Sequence, residues 1–212
     1  MKALIDQTIR DLASLGAEVV GSLVVPELET VRTIGNSFET ERAMDGYLSE
    51  HSNAPIASLG EILLSGVVIP WRARDMMGSV GKTTDDLGYL KVIQKRETLR
   101  QNVLKVMADQ ALDAIVYATF DHQPTLIAPD ATTNPEPEDD YGLGYNRSLS
   151  PAVGFPALTV PAGLTTDRLP VGLEFLGRPF TEEMLLGFGY AYEQATHHRR
   201  PPPTTPGLAS GR

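Results

Sequence analysis

Ile5, Ile9 and Leu12 recur at the i, i+4, i+7 spacing of one helix face, and Gly16 stands where a helix ends in a left-handed residue. This predicts an amphipathic helix that closes there. The paired β-branched residues of "AEVVGSLVVPEL" then predict a strand running up to Pro26. Residues 30 to 50 read as helical, with Ile34, Phe38, Met44, Tyr47 and Leu48 on the buried side. Ser58 followed by Glu61 is a capping box, which starts a short helix by satisfying backbone N–H groups. The strongest stripe runs from about Asp86 to Gln110 through Tyr89, Val92, Ile93, Leu99, Val103, Val106 and Met107. "LDAIVYATF" follows as a short apolar run of the kind a buried parallel strand shows.

From Asp121 to Arg147 the periodicity stops. Pro124, Pro129, Pro135 and Pro137 and the acidic run Glu136, Glu138, Asp139 and Asp140 make this a long loop, a length that belongs either to lids and substrate-facing segments or to linkers. "GFPALTVPAG" comes next, an apolar strand fenced by Pro156 and Pro161. After a turn at "TTDRLP" and a second strand, "VGLEFLG", a helix opens at Thr181. Its buried face is Leu185, Phe188, Tyr192 and Ala195, with Glu182 and Glu183 in the first turn and His197 to Arg200 at the end, matching the helix dipole. Gly187 and Gly189 each cost about 1 kcal/mol of helix propensity relative to Ala, so both are expected where the helix packs closely on the sheet. Helices and strands alternate, which predicts an α/β fold with a mixed β-sheet covered by helices. It fills one domain over residues 1–200, and an extended proline-rich tail occupies 201–212.

Composition narrows the function classes. The chain has no cysteine, which removes disulfides, thiolate metal sites and cysteine nucleophiles. A formal charge of −9 opposes a broad grip on nucleic acid or anionic lipid. No stretch approaches the roughly 20 apolar residues that span a bilayer. The default expectation is a soluble cytoplasmic protein that works on small molecules or contacts other proteins.

Several motifs fall short on spacing. "GSVGKTT", residues 78 to 84, lacks the glycine that a phosphate-binding loop needs, because Met76 stands at that position. Ser79 and Lys82 have the S-x-x-K spacing of serine acyl-enzymes without their companion motifs, and stay open as an alternative nucleophile and base. His197 and His198 are adjacent, so a helix points them about 100° apart, away from a shared metal. They read as a solvated helix end. His51 and His122 lack partners at ligand spacing, and neither a metal site nor a cofactor is predicted.

"SPAVGFPALTVPAGLTTDRLPVGLEFLGRPFTEEMLLGFGYAYEQATHHRRPP", residues 150 to 202, resembles the C-terminal segment of amidase signature enzymes. "LDAIVYAT" and "MKALIDQTIRDLASLGAEVV" resemble upstream parts of the same family. The resemblance implies a mixed sheet under helices and hydrolysis of a carbon–nitrogen amide bond by two serines and a lysine. Those three residues and the Gly/Ser-rich signature lie upstream of everything matched here. The chain is therefore expected to be the C-terminal portion of an amidase, inactive alone and without a catalytic residue of its own. A small-molecule amide would be its substrate, and the N-terminal catalytic half or further copies of the chain its partners. The resemblance places Asn146, Ser150, Pro151 and Gly154 along the substrate cleft. A second alternative is a binding or assembly module that retains half the scaffold. Family members often carry glycine where Arg168 stands, which bears on the turn before the second strand. The two prolines either shape a cleft wall or merely end a strand.

Overall fold

The computed structural model describes residues 1–35, 37–136, 144 and 146–201. In chain order it contains α1 (Lys2–Ser14), a 3-10 turn (Leu28–Thr33), α2 (Thr40–Ser49), α3 (Leu59–Leu64), α4 (Pro70–Met77) and α5 (Leu87–Asp109). There follow β1 (Ile115–Ala118), α6 (Asn146–Val153), β2 (Ala157–Leu164), β3 (Pro170–Leu176) and α7 (Glu182–Thr196). Two compact units result. One gathers residues 1–24, 104–123 and 154–201; the other gathers 25–103 and 124–153. The tail from residue 202 lies outside the described residues.

The first unit is built on a three-stranded sheet of order β1-β3-β2. Both pairings are antiparallel, so the parallel strand expected at "LDAIVYATF" is corrected: β1 hydrogen-bonds to β3, which runs the other way. Period-2 alternation splits the residues of β3 between two faces. Val171, Leu173 and Phe175 join Val160, Ala162, Leu185 and Tyr192 in the apolar core, and Met1, Leu4, Ile5 and Leu12 of α1 pack against it. The helices that cover this face bear out the expected α/β architecture. Gly189 confirms close packing of α7, because a Cβ there would meet Leu158 Cδ2 at 2.5 Å. Gly187 does not, since nothing lies within 4 Å of the equivalent position.

The proline fence has a structural basis in this sheet. The Gly172 carbonyl accepts from Thr119 N–H, toward β1, while Gly177 N–H donates to the Pro156 carbonyl, toward β2. Alternate residues of β3 therefore bond to opposite neighbours. Pro161 sits opposite Gly172, so its missing N–H falls on the outer edge of β2, where no ladder bond is lost. A register shift between Pro161 and Gly163 then bends the strand.

No strand forms at "AEVVGSLVVPEL", which is a second correction: residues 17–25 have no pairing partner among the described residues. In the other unit the helix expected over 30–50 is broken into the 3-10 turn and α2, with Ile34 buried and Tyr47 61% exposed. The capping box forms: Glu61 N–H donates to Ser58 Oγ at 3.1 Å, and the Glu61 carboxylate accepts from Ala57 N–H at 2.7 Å. The long stripe is realised in α5, where Val92, Leu99, Val103 and Met107 are buried while Ile93 turns outward. Arg178 donates to the Met107 carbonyl at 3.1 Å, satisfying one of the last carbonyls of α5 with a cation, as the dipole favours.

Candidate functional site

The predicted wall residues fall in two places. Asn146 opens α6 and Ser150 lies one turn further on, so the two share a helix face, both half-buried. Pro151 follows within the same helix and is exposed. α6 is held by its apolar side, where Leu149 and Val153 are buried. Gly154 comes immediately after it with φ 68, a left-handed conformation that suits glycine, and begins the segment leading into β2 in the other unit. Phe155 is buried, and the Pro156 carbonyl is held by Gly177 N–H at 3.0 Å, so β2 enters the sheet in a fixed place.

Sequence reasoning missed a polar row on the sheet face opposite the apolar core. Tyr117, Glu174 and Thr159 are register partners across β1, β3 and β2. Tyr117 Oη donates to Glu174 Oε1 at 2.8 Å, and Thr159 Oγ1 donates to Glu174 Oε2 at 3.2 Å. Thr119 Oγ1 extends the chain to Thr159 Oγ1 at 3.1 Å. Gly172 keeps the crossing clear, because a Cβ there would come within 2.6 Å of Thr159 Cγ2 and 2.7 Å of Thr119 Oγ1. Burial, then the bond to Glu174, push the Tyr117 phenol well above its usual range. The signal was a lone Glu inside the apolar run "VGLEFLG", since a carboxylate in a buried strand demands partners. This row locks three strands together. Its one carboxylate, Glu174, accepts a hydroxyl donor at each oxygen.

The alternative nucleophile does not assemble. α4 ends at Met77, so Ser79 and Lys82 lie in successive turns rather than on one helix face; Ser79 is buried, and Lys82 Nζ donates to Ser37 Oγ at 3.1 Å above the Phe38 ring. The solvated helix end is also corrected in part. His198 lies 3.8 Å from Asp11 and beside the Tyr192 ring because the left-handed His197 turns the chain back toward α1. His122 bonds its neighbour Asp121 at 2.7 Å. Among the described residues no group of three His, Asp or Glu side chains could hold a metal, and no helix is long and apolar enough to cross a membrane. The acidic positions 138 to 140 lie outside the described residues.

Comparison with known proteins gives this geometry a context. The Amidase family profile matches residues 1–186. A glutamyl-tRNA(Gln) amidotransferase subunit from Desulforudis audaxviator is 34% identical over 142 residues, covering 64% of this chain and 27% of the relative. The native peptide amidase from Stenotrophomonas maltophilia superposes with a TM-score of 0.73 at 27% identity, covering 95% of this chain and 41% of that structure. An amidase family protein from Bacillus anthracis gives 0.70 at 26% identity, covering 95% and 36%. The chain thus spans less than half the length of each.

Proposed function

The chain belongs to the amidase family, and from that membership we propose that residues 1–212 supply the C-terminal part of an amide hydrolase. They furnish scaffold and one wall of the substrate cleft, while the attacking serine and its lysine belong to polypeptide outside these residues. The observation that carries this reading is the superposition on the Stenotrophomonas maltophilia peptide amidase, which takes in nearly all of this chain and 41% of that one. The arrangement around Ser79 supports it, because the amine that could deprotonate that hydroxyl is engaged with Ser37.

In such an enzyme a serine forms the acyl intermediate, and donors fixed in place stabilise the oxyanion. This chain's part is orientation. Asn146 and Ser150, one helical turn apart, offer an amide and a hydroxyl to a substrate amide, and the exposed ring of Pro151 and the left-handed Gly154 shape the adjoining backbone. The likeness to one subunit of an amidotransferase supports an assembly in which further polypeptide completes the site. The test is direct. Purified residues 1–212 should release no product from a simple aryl amide and should take up no fluorophosphonate label on any serine. Turnover, or stoichiometric labelling of Ser79 or Ser37, would refute the reading.

A further inference from the structure

α7 turns a second uncharged face to solvent. Its inner face packs on the sheet through Leu185, Gly189 and Tyr192, and a helix placed that way ordinarily carries charge on its outer side. Here the outer side past the first turn reads Leu186, Gly187, Tyr190, Ala191, Gln194 and Ala195, all exposed and none charged. Leu186 is 61% and Tyr190 68% exposed, and nothing lies within 4 Å of where a Cβ on Gly187 would stand. Charge gathers instead at the two ends: Glu182 and Glu183 in the first turn, Arg199 and Arg200 just past the last.

We infer that this face binds a second copy of the chain, with the two α7 helices antiparallel about a two-fold axis. The face is complementary to its own image. Setting Tyr190 of one copy over the open side of Gly187 in the other makes that contact twice, because a two-fold axis repeats it. The same register sets Leu186 against Ala191 and brings Glu182 and Glu183 level with Ala195 and Gln194, next to the basic end of the other copy. Acid then meets Arg199 and Arg200 at both ends, and the helix dipoles lie antiparallel. An unrelated apolar partner would gain nothing from that matched pair of ends. One helix face is at the small end of interface sizes, and the formal charge of −9 opposes approach, so the dimer should be weak.

Sedimentation velocity on the full chain over about 5 to about 500 µM tests this, since mass action populates a weak dimer only toward the upper end. The protein should move from monomer toward dimer and no further. Tyr190→Asp places a charge at the crossing and Gly187→Leu fills the gap; each should weaken association roughly tenfold or more and leave the helical circular dichroism unchanged. The ends are tested by complementation. Glu182→Lys with Glu183→Lys makes both ends basic, and Arg199→Glu with Arg200→Glu makes both acidic, so each double variant alone should stay monomeric and an equimolar mixture should form the heterodimer. Recovery on mixing also shows that both variants fold. A monomer throughout the range, growth beyond a dimer, association untouched by Tyr190→Asp and Gly187→Leu, or no association in the mixture would each overturn the inference. None of these readouts depends on amide hydrolysis, so failure here is separable from failure of the proposed function.

Discussion

The Tyr117–Glu174 bond lends itself to a double-mutant cycle. Tyr117 Oη lies 2.8 Å from Glu174 Oε1, and Thr159 supplies the second donor at 3.2 Å. Tyr117→Phe removes one donor, and Glu174→Gln replaces the carboxylate by an amide with a single acceptor oxygen. A hydrogen bond to a charged group contributes about 1.5–3 kcal/mol, so the coupling between the two substitutions should fall in that range, which changes a local opening constant by roughly 10- to 100-fold. Trp71, the sole tryptophan, belongs to the other unit, so its fluorescence would report the wrong region. Native-state hydrogen exchange at the β3 amides of Leu173 and Phe175, which face β2, measures opening of the sheet itself. A coupling below about 0.5 kcal/mol would refute the assignment of the row as a structural lock. The same bond sets a pH dependence. The folded pKa of Tyr117 is raised above the usual 10.0, so its contribution is fully present below that value. As pH rises past it, the unfolded chain releases this proton first and the sheet loses stability by at most about 1.4 kcal/mol per pH unit. Tyr117→Phe should flatten that alkaline slope.

Glycine substitutions separate packing from helix propensity in α7. Gly189→Ala drives a Cβ to 2.5 Å from Leu158 Cδ2 and should lower thermal stability by about 1–3 kcal/mol despite the better helix former, whereas Gly187→Ala, facing open space, should raise it by about 1 kcal/mol. Gly172→Ala should part Thr119 from Thr159 and cost about 1–3 kcal/mol in denaturant unfolding, and adding Thr159→Ser, which removes the Cγ2 in the way, should recover part of that loss. Arg168 adopts φ 64 in the turn before β3, the left-handed conformation that glycine adopts most readily. Arg168→Gly should therefore raise the melting temperature, by relief of up to about 1 kcal/mol, and a fall would show that the arginine side chain stabilises the turn more than its backbone strains it.

What the chain's order revealed was what local spacing can encode. Most of the faces of α1, α5 and α7 follow from residues three and four apart, although Ile93 and Ala195 turn outward, and the Ser58–Glu61 cap follows from residues three apart, so these were readable before any partner was known. Pairing is different. The direction of β1 is set by β3, whose Glu174 is 57 residues from Tyr117, and nothing within "LDAIVYATF" distinguishes a parallel neighbour from an antiparallel one. The polar row was hidden for the same reason: Tyr117, Thr159 and Glu174 look like unrelated polar intrusions in three strands until the register aligns them. The predicted wall residues came from family resemblance, and local spacing supports only the pairing of Asn146 with Ser150 on one turn of α6.

The segment 17–25 and the proline-fenced β2 show opposite solutions to one problem. Both are apolar runs, but only β2 lies in a sheet and has an outer edge. In β2 the edge position carries Pro161, whose absent N–H offers nothing to an incoming strand, and the adjoining register shift twists the edge further. In 17–25 the flank at Pro26 lies beyond the run, so every residue from Glu18 to Val24 keeps an N–H and a carbonyl to offer. Of the two prolines of the fence, Pro161 alone keeps the edge of β2 from recruiting a strand, because the backbone of Pro156 faces β3, where its carbonyl accepts from Gly177 N–H.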